Sequence, residues 1–124
     1  MKRIYAIVTG IFFLFVSANS DAQTKTAADY FAGKWNILIK GTPYGDLKRV
    51  YVLDKKDNGL AGVVQDTTGK EIAKFTKVEL KEKEITLNYH SLGNDVVIVF
   101  TKKDDDYITG SMFGMFDATG NRIK

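Results

Sequence analysis

Cysteine is missing from all 124 residues of the chain. Its absence excludes disulfides, thiolate zinc sites and thiol nucleophiles. It also excludes the acylated cysteine on which a lipoprotein anchor is built. Histidine occurs once, at His90, so an imidazole-based metal centre has only carboxylates to complete it. Proline occurs once, at Pro43, and tryptophan once, at Trp35. No G-x-G-x-x-G, P-loop or G-x-S-x-G motif is present, which removes the usual sequence support for nucleotide cofactors and serine-hydrolase chemistry. Charge of one sign never accumulates: lysines and acids interleave in "KVELKEKE" and "TKKDDDY". Nucleic acid would call for a basic stripe with stacking aromatics, and no nucleic-acid partner is expected.

The N-terminus has the order of a secretory signal peptide. Lys2 and Arg3 precede an almost wholly apolar run, Ile4–Val16, and small and polar residues follow in "SANSDAQ". The run is shorter than the roughly 20 residues that span a bilayer. The reading assigns 1–22 to the signal peptide, with cleavage after Ala22 or, as the alternative, after Ser20. It then assigns 23–32 to a polar lead-in and 33–124 to one domain. The expected product is exported to the periplasm or beyond, with no membrane anchor after cleavage. Without Lys2, Arg3 and Asp21, sixteen basic residues face fourteen acidic ones, a net charge of +2. With no cross-links, the remaining 102 residues must be held by burial alone, which a domain of that size achieves.

The mature chain reads as a series of short strands. "AADYF" offers one helical turn before Gly33. Lys34–Ile39 alternates with Trp35, Ile37 and Ile39 on one face. Leu47–Leu53 follows, then Asn58-Gly59 as a hairpin turn of type I′. Further strands are expected at Leu60–Gln65, Ile72–Leu80, Ile85–Tyr89, Val96–Thr101 and Tyr107–Met112. A last one begins near Met115 and ends at Asp117 or Ile123. Seven or eight strands at this spacing predict an all-β sandwich or barrel. The short connections make neighbours antiparallel, and closure disposes of both sheet edges. Pro43 falls in a turn, where its missing N–H costs no ladder bond.

Several residues are candidates for chemistry. His90 has Ser91 beside it and Asp95 across a turn, but triad members converge from separated elements rather than from six consecutive positions. Asp104-Asp105-Asp106 lacks the alternate-position spacing and closing glutamate of a calcium loop, and reads as an exposed turn. Glu79, Glu82 and Glu84 lie in a lysine-rich solvated segment, whereas a catalytic carboxylate pair needs one member in an apolar setting. No catalytic residue, metal site or cofactor is assigned, and the chain is expected not to be an enzyme.

Gly33-Lys34-Trp35 opening the first strand resembles the G-x-W of lipocalins and avidins, and Leu60-x-Gly62 resembles the "LTG" that follows the second strand in avidins. The pattern "GKW…TPYGD…L…NGLAG" is similar to small lipocalin-like β domains of exported bacterial proteins that lack a known activity. The resemblance implies an up-and-down antiparallel barrel of about eight short strands. In it Gly33, Trp35 and Arg122 close one end, with the guanidinium over the indole. It further implies a non-enzymatic binder of a small apolar or amphiphilic ligand in a shallow mouth, with Tyr44, Tyr51, Tyr89 and His90 as pocket candidates. A lone tryptophan cannot build an avidin-type biotin cage. The alternative is a protein-interaction or self-associating module. "VVIVF" at 96–100 is apolar on both faces, so Val97 and Val99 are expected on an outer surface suited to a homodimer.

Overall fold

The structure, a computed structural model, describes residues 26–57 and 59–124. The leader at 1–22, its cleavage positions and Asn58 lie outside the described residues. A single helical turn, α1 (Ala27–Phe31), precedes eight strands: β1 (Gly33–Thr42), β2 (Gly45–Lys56), β3 (Gly59–Gln65), β4 (Glu71–Lys81), β5 (Glu84–Ser91), β6 (Asn94–Asp104), β7 (Tyr107–Met112) and β8 (Phe116–Ile123). Each pairs antiparallel with the next, and β1 pairs with β8, so the meander closes into a barrel with no free edge. The last strand takes the longer of its two expected extents.

Period-two alternation decides which side chains enter the barrel. Trp35, Ile37 and Ile39 of β1, Tyr51 and Leu53 of β2, Ile85, Leu87 and Tyr89 of β5, and Val96, Ile98 and Phe100 of β6 are all buried. An eight-stranded barrel is just wide enough for such side chains to fill it. Tyr51, Phe75 and Tyr89 meet edge to face, with centroids 5.2–5.7 Å apart, and form an aromatic layer across the interior. Below that layer the barrel is packed down to Trp35.

Turn chemistry follows local backbone demand. Ser91 pairs with Asn94, leaving Leu92 and Gly93 as a two-residue loop with φ of 54° and 78°. Those positive angles are what a type I′ hairpin requires. The β2–β3 hairpin corrects the sequence reading by one position. Lys56 pairs with Gly59, so Gly59 already belongs to β3. Asp57 takes φ of 52°, a left-handed conformation that a short polar side chain tolerates.

The lead-in is less polar in its role than in its composition. Thr26 Oγ1 accepts from the Asp29 N–H at 3.1 Å, and the Asp29 carboxylate accepts from the Thr26 N–H at 3.3 Å, a reciprocal capping box. With the turn fixed, Tyr30 and Phe31 swing under the barrel and are buried. Lys55 of β2 pairs with the same Asp29 carboxylate. That lysine first, and Thr26 second, hold the Asp29 carboxyl down at about 2. A carboxyl depressed in the folded state contributes stability above its unfolded value, and that contribution is lost as pH falls towards about 2. Asp29→Asn is therefore expected to flatten the fall in Tm between pH 4 and pH 2. Thermal melts of both proteins across that range test it, and parallel curves would refute it.

Candidate functional site

The two ends of the barrel are built differently. At the closed end, Trp35 is fully buried and its Nε1–H donates to the Phe31 carbonyl at 2.9 Å. Arg122 stands directly opposite Trp35 in the β1–β8 register, which places its guanidinium 4.3 Å from the indole ring and 5.2 Å from the Tyr30 ring. Its donors also reach the carbonyls of Tyr30, Ala32 and Asp105 and the Asp106 carboxylate, at 2.8–3.1 Å. A guanidinium offers five donors in a rigid fork, and here it ties α1, the β6–β7 turn and β8 together. Gly33 has φ of 122°, and a Cβ there would lie 3.5 Å from Arg122 Nη1. The backbone angle, more than the space, calls for glycine.

The aspartate turn belongs to this arrangement. The Asp106 carboxylate takes Lys124 at 2.7 Å and Arg122 at 3.1 Å, and these cations, Lys124 foremost, lower its pKa. Tyr30 donates its hydroxyl proton to the Asp104 carbonyl. Read from the sequence as a solvated turn, Asp104–Asp106 is a docking point for the closed end. Nothing in the local sequence shows this, because the partner lies sixteen residues on.

The opposite end is open. The β1–β2, β5–β6 and β7–β8 loops surround a cavity of about 470 Å³, within the range that holds small organic ligands. Its wall is mainly apolar, with Leu47, Val96, Met112 and Phe116 below and the loop side chains above. Tyr44, Leu92, Phe113 and Met115 stand at the rim as exposed hydrophobics, Met115 at 72%. Ile72, on β4, is also exposed. A folded domain ordinarily has little reason to concentrate such side chains on one set of loops.

The tyrosine and histidine candidates separate at this point. Tyr44 and Tyr89 line the cavity, Tyr44 from the rim and Tyr89 from the floor. Tyr51 is a layer deeper and does not line it. Its hydroxyl meets the Tyr89 hydroxyl at 2.7 Å. Burial raises the pKa of both phenols, that of Tyr51 strongly. His90 points away from the interior, since alternation sends Tyr89 inward and its neighbour out. Its Nδ1 lies 2.9 Å from Asp95 Oδ1 on the outer surface. The cavity is formed without His90.

Sequence reasoning missed Arg49. It occupies an inward position of β2 between Leu47 and Tyr51 and lines the cavity. The clue was available: a charged residue on the apolar phase of an alternating strand marks either a strand end or a site.

Val97 and Val99 face outward and are half-buried. Their ladder neighbours on that face are Asn88 and Thr86 of β5 and, beside Val99, Ser111 of β7. Two valines among small polar side chains make a narrow strip rather than a broad apolar face. Neither a protein-family model nor a curated protein sequence matches the chain.

Proposed function

We propose that the protein is an exported, non-enzymatic barrel of the lipocalin/avidin type that holds a small apolar or amphiphilic ligand at its open mouth. One observation carries the reading: the interior is packed from Trp35 up to the tyrosine layer, and the space above that layer is left open and lined with apolar side chains. Exposed hydrophobics gather at that mouth, where a ligand would cover them. In the His90–Asp95 pair, the nearest approach to acid–base machinery, the imidazole lies outside the cavity lining. Export rests on the basic, apolar and small-residue order of residues 1–22.

A neutral solvatochromic dye such as Nile red tests the proposal. Binding is expected to raise and blue-shift its fluorescence with a saturable isotherm. Ligand at a hundred times its Kd stabilises a protein by about 2.7 kcal/mol, enough to raise Tm by several degrees in a domain of about 100 residues. Leu47→Trp, which fills the cavity from its wall, is expected to abolish dye binding while the protein keeps its cooperative melt. Dye binding that is absent, or that is indifferent to Leu47→Trp, would refute the proposal.

A further inference from the structure

The lining of the mouth cavity carries a charge with no carboxylate among the described residues to pair it. Arg49 projects from β2 into the mouth, and it is the one cation among the described residues that line the cavity. Among the described residues no carboxylate lies within ion-pair distance of its guanidinium. Its hydrogen bond runs from Nη1 to the carbonyl of its own neighbour Lys48, at 2.9 Å. The carboxylate that does line the cavity, Asp95, is directed to the outer rim and engaged with His90. The guanidinium keeps its contact with water and has donors to spare for an anion that enters the mouth.

A second group points the same way. The Tyr51 and Tyr89 hydroxyls are 2.7 Å apart and together carry two protons, of which their mutual hydrogen bond uses one. Among the described residues neither hydroxyl has another partner. If Tyr51, the deeper of the two, donates to Tyr89, the Tyr89 proton is left to face the cavity that Tyr89 lines. The positive charge of Arg49 is close enough to both phenols to work against the rise that burial imposes on them. A cation and a spare O–H donor thus line the same, mainly apolar cavity.

We infer that the ligand is an apolar molecule ending in a single anionic group, a carboxylate in the simplest case, whose head is held by Arg49 and the Tyr89 hydroxyl. The apolar body lies against Leu47, Val96, Met112 and Phe116 and emerges between Phe113 and Met115. Arg49 donates two N–H bonds to the two head-group oxygens, the planar match that guanidinium makes with a carboxylate. Tyr89 donates its hydroxyl proton to one of the same oxygens and accepts from Tyr51. The inference rests on the mouth being a ligand site, and it adds the chemistry of the ligand.

Three probes of equal chain length separate the two claims: decanoate, 1-decanol and decylamine, titrated calorimetrically at pH 8 against the protein and its variants. Decanoate is expected to bind at least about tenfold more tightly than decanol, with decylamine the weakest. Arg49→Gln is expected to bring decanoate down to the level of decanol and to leave decanol within about twofold of its original affinity. Tyr89→Phe keeps the ring and is expected to weaken decanoate severalfold with little effect on decanol. Equal binding of all three probes by the unaltered protein would overturn the head-group assignment and leave the ligand site standing. A preference for decanoate that survives Arg49→Gln would also overturn it. Binding of none of the three would remove both claims. The comparison among probes needs no variant, so a folding defect in Arg49→Gln does not rescue the inference.

Discussion

Trp35→Ala is expected to remove about 3–5 kcal/mol of folding stability, a large share of the roughly 5–15 kcal/mol that separates a domain of this kind from its unfolded state. The indole is fully buried, and its loss opens a void at the one place where α1, β1 and β8 all meet. Three further contacts fail with it. The Phe31 carbonyl loses its donor, the Tyr30 ring loses a neighbour at 5.8 Å, and the Arg122 guanidinium loses the surface beneath it at 4.3 Å. Trp35→Phe separates volume from polarity. It keeps a ring in place but strands the carbonyl, and about 1–3 kcal/mol is expected from that unpaired acceptor together with the lost volume. Urea unfolding should be followed by far-ultraviolet circular dichroism, because either change deletes the chain's only indole. A loss below about 1 kcal/mol for the alanine variant would show that Trp35 does not close the barrel.

The closed end was unusually open to reading from sequence, and the reason is that its parts are rare residues. A single tryptophan one residue past a glycine, and an arginine near the C-terminus, stand out against a background of valines and lysines. Strand alternation did the rest, because inward positions such as Ile85, Leu87 and Tyr89 hold their phase without a break. Boundaries were less legible. β2 extends to Lys56 through residues that are polar on both faces, where hydrophobic period carries no information and only ladder pairing extends the strand. Tyr30 and Phe31 looked like part of a polar approach, since one turn of helix is too short to display a period.

At the mouth the sequence located the tyrosines but not their depth. Tyr44, Tyr51 and Tyr89 are alike as letters; register alone puts one at the rim, one in the floor and one beneath it. His90 drew attention as the sole histidine, and its neighbour Tyr89 occupies the inward position. Arg49 went unnoticed among eighteen basic residues, although its phase on β2 matches that of Leu47, Tyr51 and Leu53. Rarity pointed to a residue outside the cavity, and phase pointed to a residue that lines it. A charged side chain in register with core positions is the better guide in an alternating strand.

A single methyl group is expected to have a very large effect at Gly62. Alternation along β3 places it between the buried Leu60 and Val64, opposite Leu53 of β2. A Cβ there would stand 1.9 Å from the Val52 carbonyl oxygen and 2.9 Å from its carbon. The obstacle is backbone, so no rotamer change relieves it. β2 and β3 would have to separate by more than an ångström where their ladder is continuous from Val50 to Lys56. The same approach recurs at Gly110, where a Cβ would lie 1.6 Å from the Val99 carbonyl oxygen on the β6–β7 ladder. Closing eight strands into a barrel demands strong coiling at such points, and glycine lets one strand fold down onto its neighbour. Gly62→Ala is therefore expected to cost more than about 4 kcal/mol, the range reached only when a fold is violated at a specific point. The expected observation is aggregated protein or a lost cooperative melt. Gly59→Ala, three residues earlier, is the control: nothing lies within 4 Å of its Cβ, and the change is expected to be neutral or slightly stabilising. If Gly62→Ala melts within a few degrees of the unaltered protein, the two strands do not approach as closely as this barrel requires, and what β2 lends to the mouth, Arg49 in its lining and Tyr51 beneath its floor, would have to be redrawn with them.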